Sequence, residues 1–248
     1  MTKKLPALGA MLIVFATALG CAQNADNLPK PAPVDGNARV TPRAPAQVAV
    51  SRSNVVKLIG NAPPCDSAWP EGTGFAYEPE RVMTTAHLMA GTSGPITVIR
   101  PEGKHYKGRV VLFDPGRDVA VLRVPGLRTR SLVFGPIKPG ENATFAGFPR
   151  GGDLAVASGS VGRSITVRGP DIHRKRQVRR EVLIVDAAVK PGIAGSPLFR
   201  SDGTVSGMIF ASDVGEPRGY ALTAAEITRP AMDGQTATAD VSTQGCSV

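Results

Sequence analysis

Short apolar runs rich in β-branched and aromatic residues alternate with clusters of turn-forming residues along most of the chain. The runs have the length and the two-residue alternation of β-strands, and sustained helical periodicity is scarce. In chain order the predicted strands are VVKLI, TGFAYE, RVMTTA, ITVIR, RVVLFD, DVAVLRV, NATFAGF, LAVASGSV, EVLIVDAAV, SPLFR, VSGMIFAS and GYALT. Near-regular short strands of this kind indicate an all-β barrel or sandwich. The segment LTAAEITRPAM predicts one short helix, which Thr223 caps and for which Glu226 completes a capping box.

The same pattern divides the chain into segments. Residues 22–50 are rich in Pro, Ala and Asn and predict an extended, disordered tether. The folded domain is predicted over residues 51–248. The strand pattern is interrupted most clearly at FGPIKPGEN. This break separates a first half, about 53–135, from a second half of similar size, about 136–235.

The first residues, MTKKLPALGAMLIVFATALGCAQ, have the composition of an export signal. Two lysines precede an apolar run of signal-peptide length, and small residues follow it, so residues 1–21 predict a signal peptide. The run is too short and one-sided for a membrane-spanning helix. The sequence Ala-Leu-Gly-Cys that ends at Cys21 resembles a bacterial lipobox and makes Cys21 a lipidation candidate. Ordinary cleavage after Ala18 or Ala22 is the alternative.

Export determines how the three cysteines are interpreted. If Cys21 is lipidated or removed, Cys65 and Cys246 remain, and an oxidising compartment would join them. Two free thiols are the alternative. A bridge would tie the start of the folded part to its end.

The chain is basic, with a formal charge of +9. This balance suits anionic envelope polymers or lipid headgroups, and export argues against a nucleic-acid partner. The densest cluster is HRKRQVRR, at residues 173–180. It is either a solvated loop between two strands or a docking loop for an anionic envelope surface. The candidate contacts in such a loop are Arg174, Lys175, Arg176, Arg179 and Arg180.

Two motifs supply candidate acid–base groups. In EGTGFAYEPERVMTTAHLMAG a strand ends in Thr-Ala-His, the histidine signature of chymotrypsin-type proteases, and an imidazole suits a general base because its pKa lies near working pH. His87 is this candidate, with a buried structural histidine as the alternative. In LFDPGRDVAVLRVPG, Asp118 opens an apolar strand and would hold the His87 tautomer. Asp114 is interpreted as the turn residue before Pro115.

The third motif is the loop PGIAGSPLF, which follows the other two in chymotrypsin order. Nucleophile loops run Gly-x-Ser-Gly-Gly-Pro, and Pro197 aligns the nucleophile position with Ala194. Use of Ser196 instead would move the hydroxyl by roughly 6–7 Å along extended chain, and Pro197 restricts Ser196 to extended conformations. The amides of Gly192 and Ala194 could still form an oxyanion-type pocket, because backbone donors do not depend on a side chain.

These stretches resemble the trypsin-like serine proteases and, more narrowly, the periplasmic protease domain of actinobacterial MarP-type proteins, which are distant relatives of the HtrA proteases. The resemblance runs from about residue 54 to residue 246 and includes NVVKLIGNAPPC, AGFPRGG, REVLIV and VSTQGC. It implies a chymotrypsin-like fold of two six-stranded antiparallel β-barrels with a short C-terminal helix, and a disulfide between Cys65 and Cys246. The family has N-terminal membrane helices where this chain has a signal peptide. Its motif Pro-Gly-Asn-Ser-Gly-Gly-Pro is Pro-Gly-Ile-Ala-Gly-Ser-Pro here.

The sequence therefore predicts an exported, catalytically inactive serine protease homologue. It would bind an extended peptide or protein segment in the cleft between its barrels by strand addition. The alternative is an active serine endopeptidase that uses Ser196 with His87 and Asp118. No metal and no cofactor is predicted, because His87, His105 and His173 lack ligand spacing and no glycine-rich phosphate loop opens a helix.

Overall fold

All twelve predicted strands form, and they close into two six-stranded antiparallel barrels. The computed structural model describes residues 52–60, 65, 71–213 and 215–247. The predicted signal peptide, the tether and Cys21 lie outside the described residues. Within the described part, no helix has the length and apolar character needed to cross a membrane.

Each barrel is built from six strands that are consecutive in the chain. The first barrel contains β1 (Val55–Ile59), β2 (Glu71–Glu78), β3 (Arg81–Thr84), β4 (Ile96–Ile99), β5 (His105–Asp114) and β6 (Val119–Arg123). The second contains β7 (Asn142–Gly147), β8 (Ala155–Pro170), β9 (Gln177–Asp186), β10 (Pro197–Phe199), β11 (Val205–Ser212) and β12 (Gly219–Thr223). The strand orders around the barrels are β1-β2-β3-β6-β5-β4 and β10-β11-β12-β9-β8-β7. The predicted all-β, chymotrypsin-like fold is thus confirmed.

Apolar side chains that alternate along the strands fill both barrels. The first core includes Val56, Leu58, Val82, Ile96 and Leu122. The second includes Phe145, Val161, Leu183, Val185 and Ile209. A third buried cluster takes side chains from both barrels, among them Phe75, Met83, Phe199 and Met208. Because this shared cluster is buried, it holds the barrels against each other and fixes the walls between which the site lies.

Two α-helices complete the described fold: α1 (Ala86–Met89) and α2 (Ala224–Thr236). The predicted cap of α2 is confirmed, because the hydroxyl of Thr223 accepts a hydrogen bond from the amide of Glu226 at 3.3 Å. The return bond of a capping box is absent from the described contacts. The carboxylate of Glu226 instead accepts from the amide of Glu181, at 2.9 Å, and thereby joins α2 to β9.

The hairpin formed by β8 and β9 is longer than predicted. Strand β8 was expected to end near residue 161 but continues to Pro170, and β9 already begins at Gln177. The basic segment 173–180 is therefore only partly a loop. Its last four residues pair with β8, where Arg168 lies opposite Arg179. We refer to residues 163–180 as the arm.

The C-terminal residues run back along the first barrel. The amide of Val241 donates to the carbonyl of Val110 at 2.9 Å, and the hydroxyl of Thr243 donates to the carbonyl of Thr92 at 2.7 Å. In the structure Cys65 and Cys246 form a disulfide across 181 residues. This bond holds the chain end beside the segment that follows α1.

Replacement of both Cys65 and Cys246 by Ser is expected to lower the free energy of unfolding by up to roughly 4–5 kcal/mol, the chain-entropy value for so long a loop. Urea unfolding of the oxidised protein and of the double variant measures the difference. A Cys21→Ser variant is the control and should unfold like the native protein. Equal midpoints for the native protein and the double variant would contradict the prediction.

Candidate active site

His87 and Asp118 meet at the edge of the first barrel. Strand β3 is buried throughout and delivers His87 in the first turn of α1, while Asp118 directly precedes β6. Because β3 and β6 are neighbours, with Thr84 opposite Ala120, the two side chains lie close together. Nδ1 of His87 is 2.7 Å from Oδ2 of Asp118.

Both carboxylate oxygens of Asp118 bind the same residue. Oδ1 accepts from the backbone amide of His87 at 2.8 Å, while Oδ2 bonds the ring. Asp118 is only 5% exposed and has a positive φ of 64°, a conformation that most side chains avoid. Backbone strain of this kind persists where surrounding contacts enforce it. The carboxylate therefore fixes the position and the orientation of the imidazole.

The edge of the imidazole that is not bonded to Asp118 is available for further contacts. The side chain of His87 is 34% exposed, so a bound segment can reach it. On this edge Nε2 lies 3.4 Å from the hydroxyl of Thr85, which is fully buried. The Thr85 hydroxyl can help to orient the ring, but its burial keeps it away from any substrate.

Burial and two charged neighbours determine the pKa of His87. Burial lowers the pKa of His87, but the charge of Asp118 and its hydrogen bond raise it by more, so the pKa lies above its usual value of 6.5. The guanidinium of Arg180, at the base of the arm, opposes this rise. The stabilisation from the pair is thus fully present below pH 6.5 and is lost as the pH rises through the raised pKa.

The loop from Lys190 to Ser196 lies across the gap between the barrels. Two reverse turns shape it, in which Ile193 donates to the carbonyl of Lys190 at 3.2 Å and Ser196 donates to the carbonyl of Ile193 at 3.0 Å. Gly192 and Gly195 both have a φ of 90°, which glycine adopts without steric cost. The second barrel holds the end of the loop, because Gly195 donates to Ile209 at 2.8 Å.

Thr73 of β2 fastens this loop to the first barrel. Its buried hydroxyl donates to the carbonyl of Gly192 at 2.7 Å and accepts from the amide of Phe148 at 2.9 Å. Gly195 packs directly against the same strand pair. A Cβ at Gly195 would lie 2.0 Å from the carbonyl oxygen of Thr73 and 2.6 Å from the hydroxyl of Thr84. Only glycine allows the loop to approach this closely.

Ala194 lies between these two anchored glycines and is half-buried. Its neighbour Gly195 touches Thr84, which is three residues before His87. Among the described residues, neither the amide of Gly192 nor that of Ala194 donates a hydrogen bond. Both amides are therefore free to bind an oxygen atom of a ligand.

Ser196 occupies a different position. It is 0% exposed, and its hydroxyl has no hydrogen-bond partner among the described residues. Gly147 packs so close that a Cβ there would lie 2.4 Å from the Ser196 hydroxyl. In this conformation Ser196 contacts neither His87 nor a surface that a substrate could reach, which removes it from the geometry expected of a nucleophile.

Ile193, which precedes Ala194, belongs to the core of the second barrel. Its side chain is 4% exposed and packs with Phe145, Val185 and Leu198 in the second barrel. This burial anchors the loop on the second barrel. Sequence reasoning also missed the anchoring role of Thr73, although the quoted motif Gly-Thr-Gly-Phe contains it, because its partner Gly192 is 119 residues away.

Comparison with known proteins gives consistent matches. A family model described as "Trypsin-like peptidase domain" matches residues 72–208. "Serine protease Rv3671c" of Mycobacterium tuberculosis is 38% identical over 184 residues, which cover 73% of this chain and 46% of that protein. "Probable periplasmic serine endoprotease DegP-like" of Halomonas elongata is 32% identical over 145 residues, or 55% of this chain and 28% of that protein. The chain thus spans less than half the length of these relatives.

Solved structures agree. The active form of Rv3671c protease from M. tuberculosis superimposes with a TM-score of 0.76 and 36% identity, covering 82% of this chain and 89% of that one. The inactive form of Rv3671c protease superimposes with a TM-score of 0.66 and 34% identity, covering 76% of this chain and 92% of that one. The structure described as "HtrA-type protease AlgW with tripeptide" superimposes with a TM-score of 0.63 and 21% identity, covering 76% of this chain and 63% of that one. At this identity the match shows a shared fold alone.

Replacement of Thr73 by Val should leave the Gly192 carbonyl and the Phe148 amide without their partner. Each buried group that loses its bond costs roughly 1–3 kcal/mol, so the free energy of unfolding should fall by that amount per group. Urea unfolding measures the change. Thr73→Ser keeps the hydroxyl and serves as the matched control. A Val variant as stable as the Ser variant would show that these two bonds contribute little.

An Asp118→Asn variant is expected to lower the pKa of His87, because the charge that raises it is removed. NMR titration of the His87 ring gives both midpoints, and the native midpoint should lie above 6.5. Asp114→Asn is the control, since Asp114 bonds Arg117 instead and its loss should leave the His87 midpoint in place. A native midpoint below that of Asp118→Asn would contradict the assigned pair.

Proposed function

Because the chain belongs to the trypsin-like peptidase family, we propose that it is an exported pseudoprotease of the HtrA and MarP type that binds peptides without cleaving them. The occupant of its cleft is an extended peptide or protein segment. Such segments bind chymotrypsin-like folds by adding a strand beside the cleft. The retained His87 and Asp118 pair would orient polar groups of the bound segment.

The single observation that carries this proposal is the position of Ala194. The loop around it is anchored on both barrels, next to the first-barrel strands that position His87, and the spacing to Pro197 supports Ala194 as the counterpart of the family nucleophile. A methyl group cannot attack a carbonyl. Loss of a triad serine costs on the order of a million-fold in turnover, so an alanine at this position makes the protein inactive.

The nearby hydroxyl groups do not compensate for Ala194. Thr85 lies beside Nε2 of His87 but is fully buried, and Ser196 is buried without contact to His87. Proteolysis through either residue would require the loop or β3 to be rebuilt. Misplacement of a reacting group by about 1 Å already costs around a hundred-fold in rate.

The free amides of Gly192 and Ala194 support peptide binding. Two backbone N–H groups can donate hydrogen bonds to the carbonyl oxygen of a bound segment, as in an oxyanion hole. These N–H groups belong to the main chain of the protein itself, so they remain available for binding when the nucleophilic side chain is absent.

One observation favours the second candidate function, an active endopeptidase that uses Ser196. The buried hydroxyl of Ser196 has no partner within the described part of the chain, and such a group costs free energy that a rearranged loop would recover. The rearrangement would have to bring Ser196 to Nε2 of His87 against the anchors at Thr73 and Ile209. We therefore rank this function second.

Export is the proposed location, supported by the signal-like start of the sequence and by the periplasmic naming of a relative. Within this proposal Cys21 is the site of lipid attachment. The intact mass of the mature protein separates lipidation at Cys21 from ordinary cleavage after Ala18 or Ala22.

A fluorophosphonate probe, which labels activated serines, tests the proposed inactivity. The native protein is expected to show no mass adduct, while Ala194→Ser should gain one, because the restored hydroxyl lies in the anchored loop near His87. Ser196→Ala is the matched control and should change neither result when it is added to each protein. A native adduct that disappears in Ser196→Ala would refute the pseudoprotease and establish the second candidate.

A further inference from the structure

The arm carries a concentration of positive charge that one acidic residue only partly offsets. Between residues 163 and 180 the only acidic residue is Asp171, which is buried and lies 3.6 Å from Arg176. None of the other exposed cations of the arm forms an ion pair with a described residue. The exposed cations are Arg163, Arg168, Arg174, Lys175, Arg176 and Arg179.

The charges are placed where they repel one another. Arg168 and Arg179 are directly opposite in the β8–β9 pairing and therefore project from the same face. Like charges in this arrangement destabilise a strand pair. An external anion that binds both guanidinium groups would offset the repulsion, which points to a function in binding.

The arm is ordered before any partner binds. Pairing between β8 and β9 continues to Pro170 and Gln177 at the tip. In the turn, the carboxylate of Asp171 accepts from the amides of His173 at 3.1 Å and Lys175 at 2.9 Å. The basic side chains are thus presented on a defined backbone, which reduces the entropy lost when they bind.

The two faces of the arm have different roles. Arg180 faces the first barrel, where its Nε donates to the carbonyl of Gly116 at 2.8 Å. Since side chains alternate along a strand, Arg168 and Arg179 lie on the opposite face, away from His87. A partner on this outer face would leave the cleft open.

We infer that the outer face and tip of the arm dock on a membrane surface that carries anionic phospholipid headgroups. The exposed cations follow one another along the hairpin and around its tip, a spread of charge that suits a broad anionic surface. An acidic peptide would instead require a cationic groove. The cavity at the base of the arm, of about 460 Å³, is lined by Ser164, Glu181 and Leu183 and by no Lys or Arg. The inference is independent of whether the cleft is catalytic.

Cosedimentation with vesicles tests the docking. All proteins are full chains with Cys21→Ser, so that no acyl chain contributes. The native arm should bind vesicles of equal parts phosphatidylglycerol and phosphatidylcholine, and binding should weaken with salt. A variant with Arg168, Arg174, Lys175 and Arg179 all changed to Gln should bind at least about ten-fold more weakly, because each basic residue near an anionic surface contributes to adsorption.

A charge-matched control separates the arm from net charge. Its four Gln substitutions replace exposed cations elsewhere, at Lys104, Arg128, Arg130 and Lys138, and should leave vesicle binding nearly unchanged. Equal loss in both variants would overturn the inference, as would native binding to pure phosphatidylcholine vesicles of equal strength. Binding to a poly-glutamate peptide without binding to vesicles would also overturn it and assign the arm to acidic proteins.

Discussion

The buried hydroxyl of Thr73 is the contact on which the geometry of the site depends. It belongs to the first barrel, yet it bonds the Gly192 carbonyl and the Phe148 amide at the end of β7. Gly195 packs on the carbonyl of the same residue. One side chain thus joins three parts of the chain and sets where Ala194 lies relative to His87. A loop held in this way keeps its shape whatever side chain residue 194 carries.

In the proposed pseudoprotease, this arrangement would keep the protease scaffold intact without a nucleophile. Asp118 binds both the amide and the ring of His87, so the pair contributes to the local fold as well as to acid–base chemistry. The apolar anchor Ile193 and the positive-φ glycines position the loop without help from a serine hydroxyl. The features that would recognise a peptide are therefore independent of the feature that would cleave it.

The fold was accessible from sequence because its signals are local. Strands β11 and β12 begin and end at the predicted residues, since alternating apolar residues between turn formers define them. The extension of β8 was missed because the register shifts between Val161 and Ser164, which breaks the two-residue period. For the candidate active site, the sequence identified the residues that carry recognisable motifs but not the long-range contacts that position them. His87 and Asp118 come together as expected, whereas the bond between Thr73 and Gly192 has no local signature, and the burial of Ile193 depends on the path of a loop between glycines.

The central claim is that the proposed active site lacks only a nucleophilic hydroxyl at residue 194, while the His87–Asp118 pair and the anchored loop are in place. It is tested most directly by the rate of casein hydrolysis in an Ala194→Ser variant, with and without His87→Ala. The account predicts that Ala194→Ser hydrolyses casein while the native protein does not, and that the second substitution abolishes the gain. A folded Ala194→Ser variant without hydrolysis would contradict the account, because it would show that the His87–Asp118 pair and the anchored loop do not form a catalytic geometry.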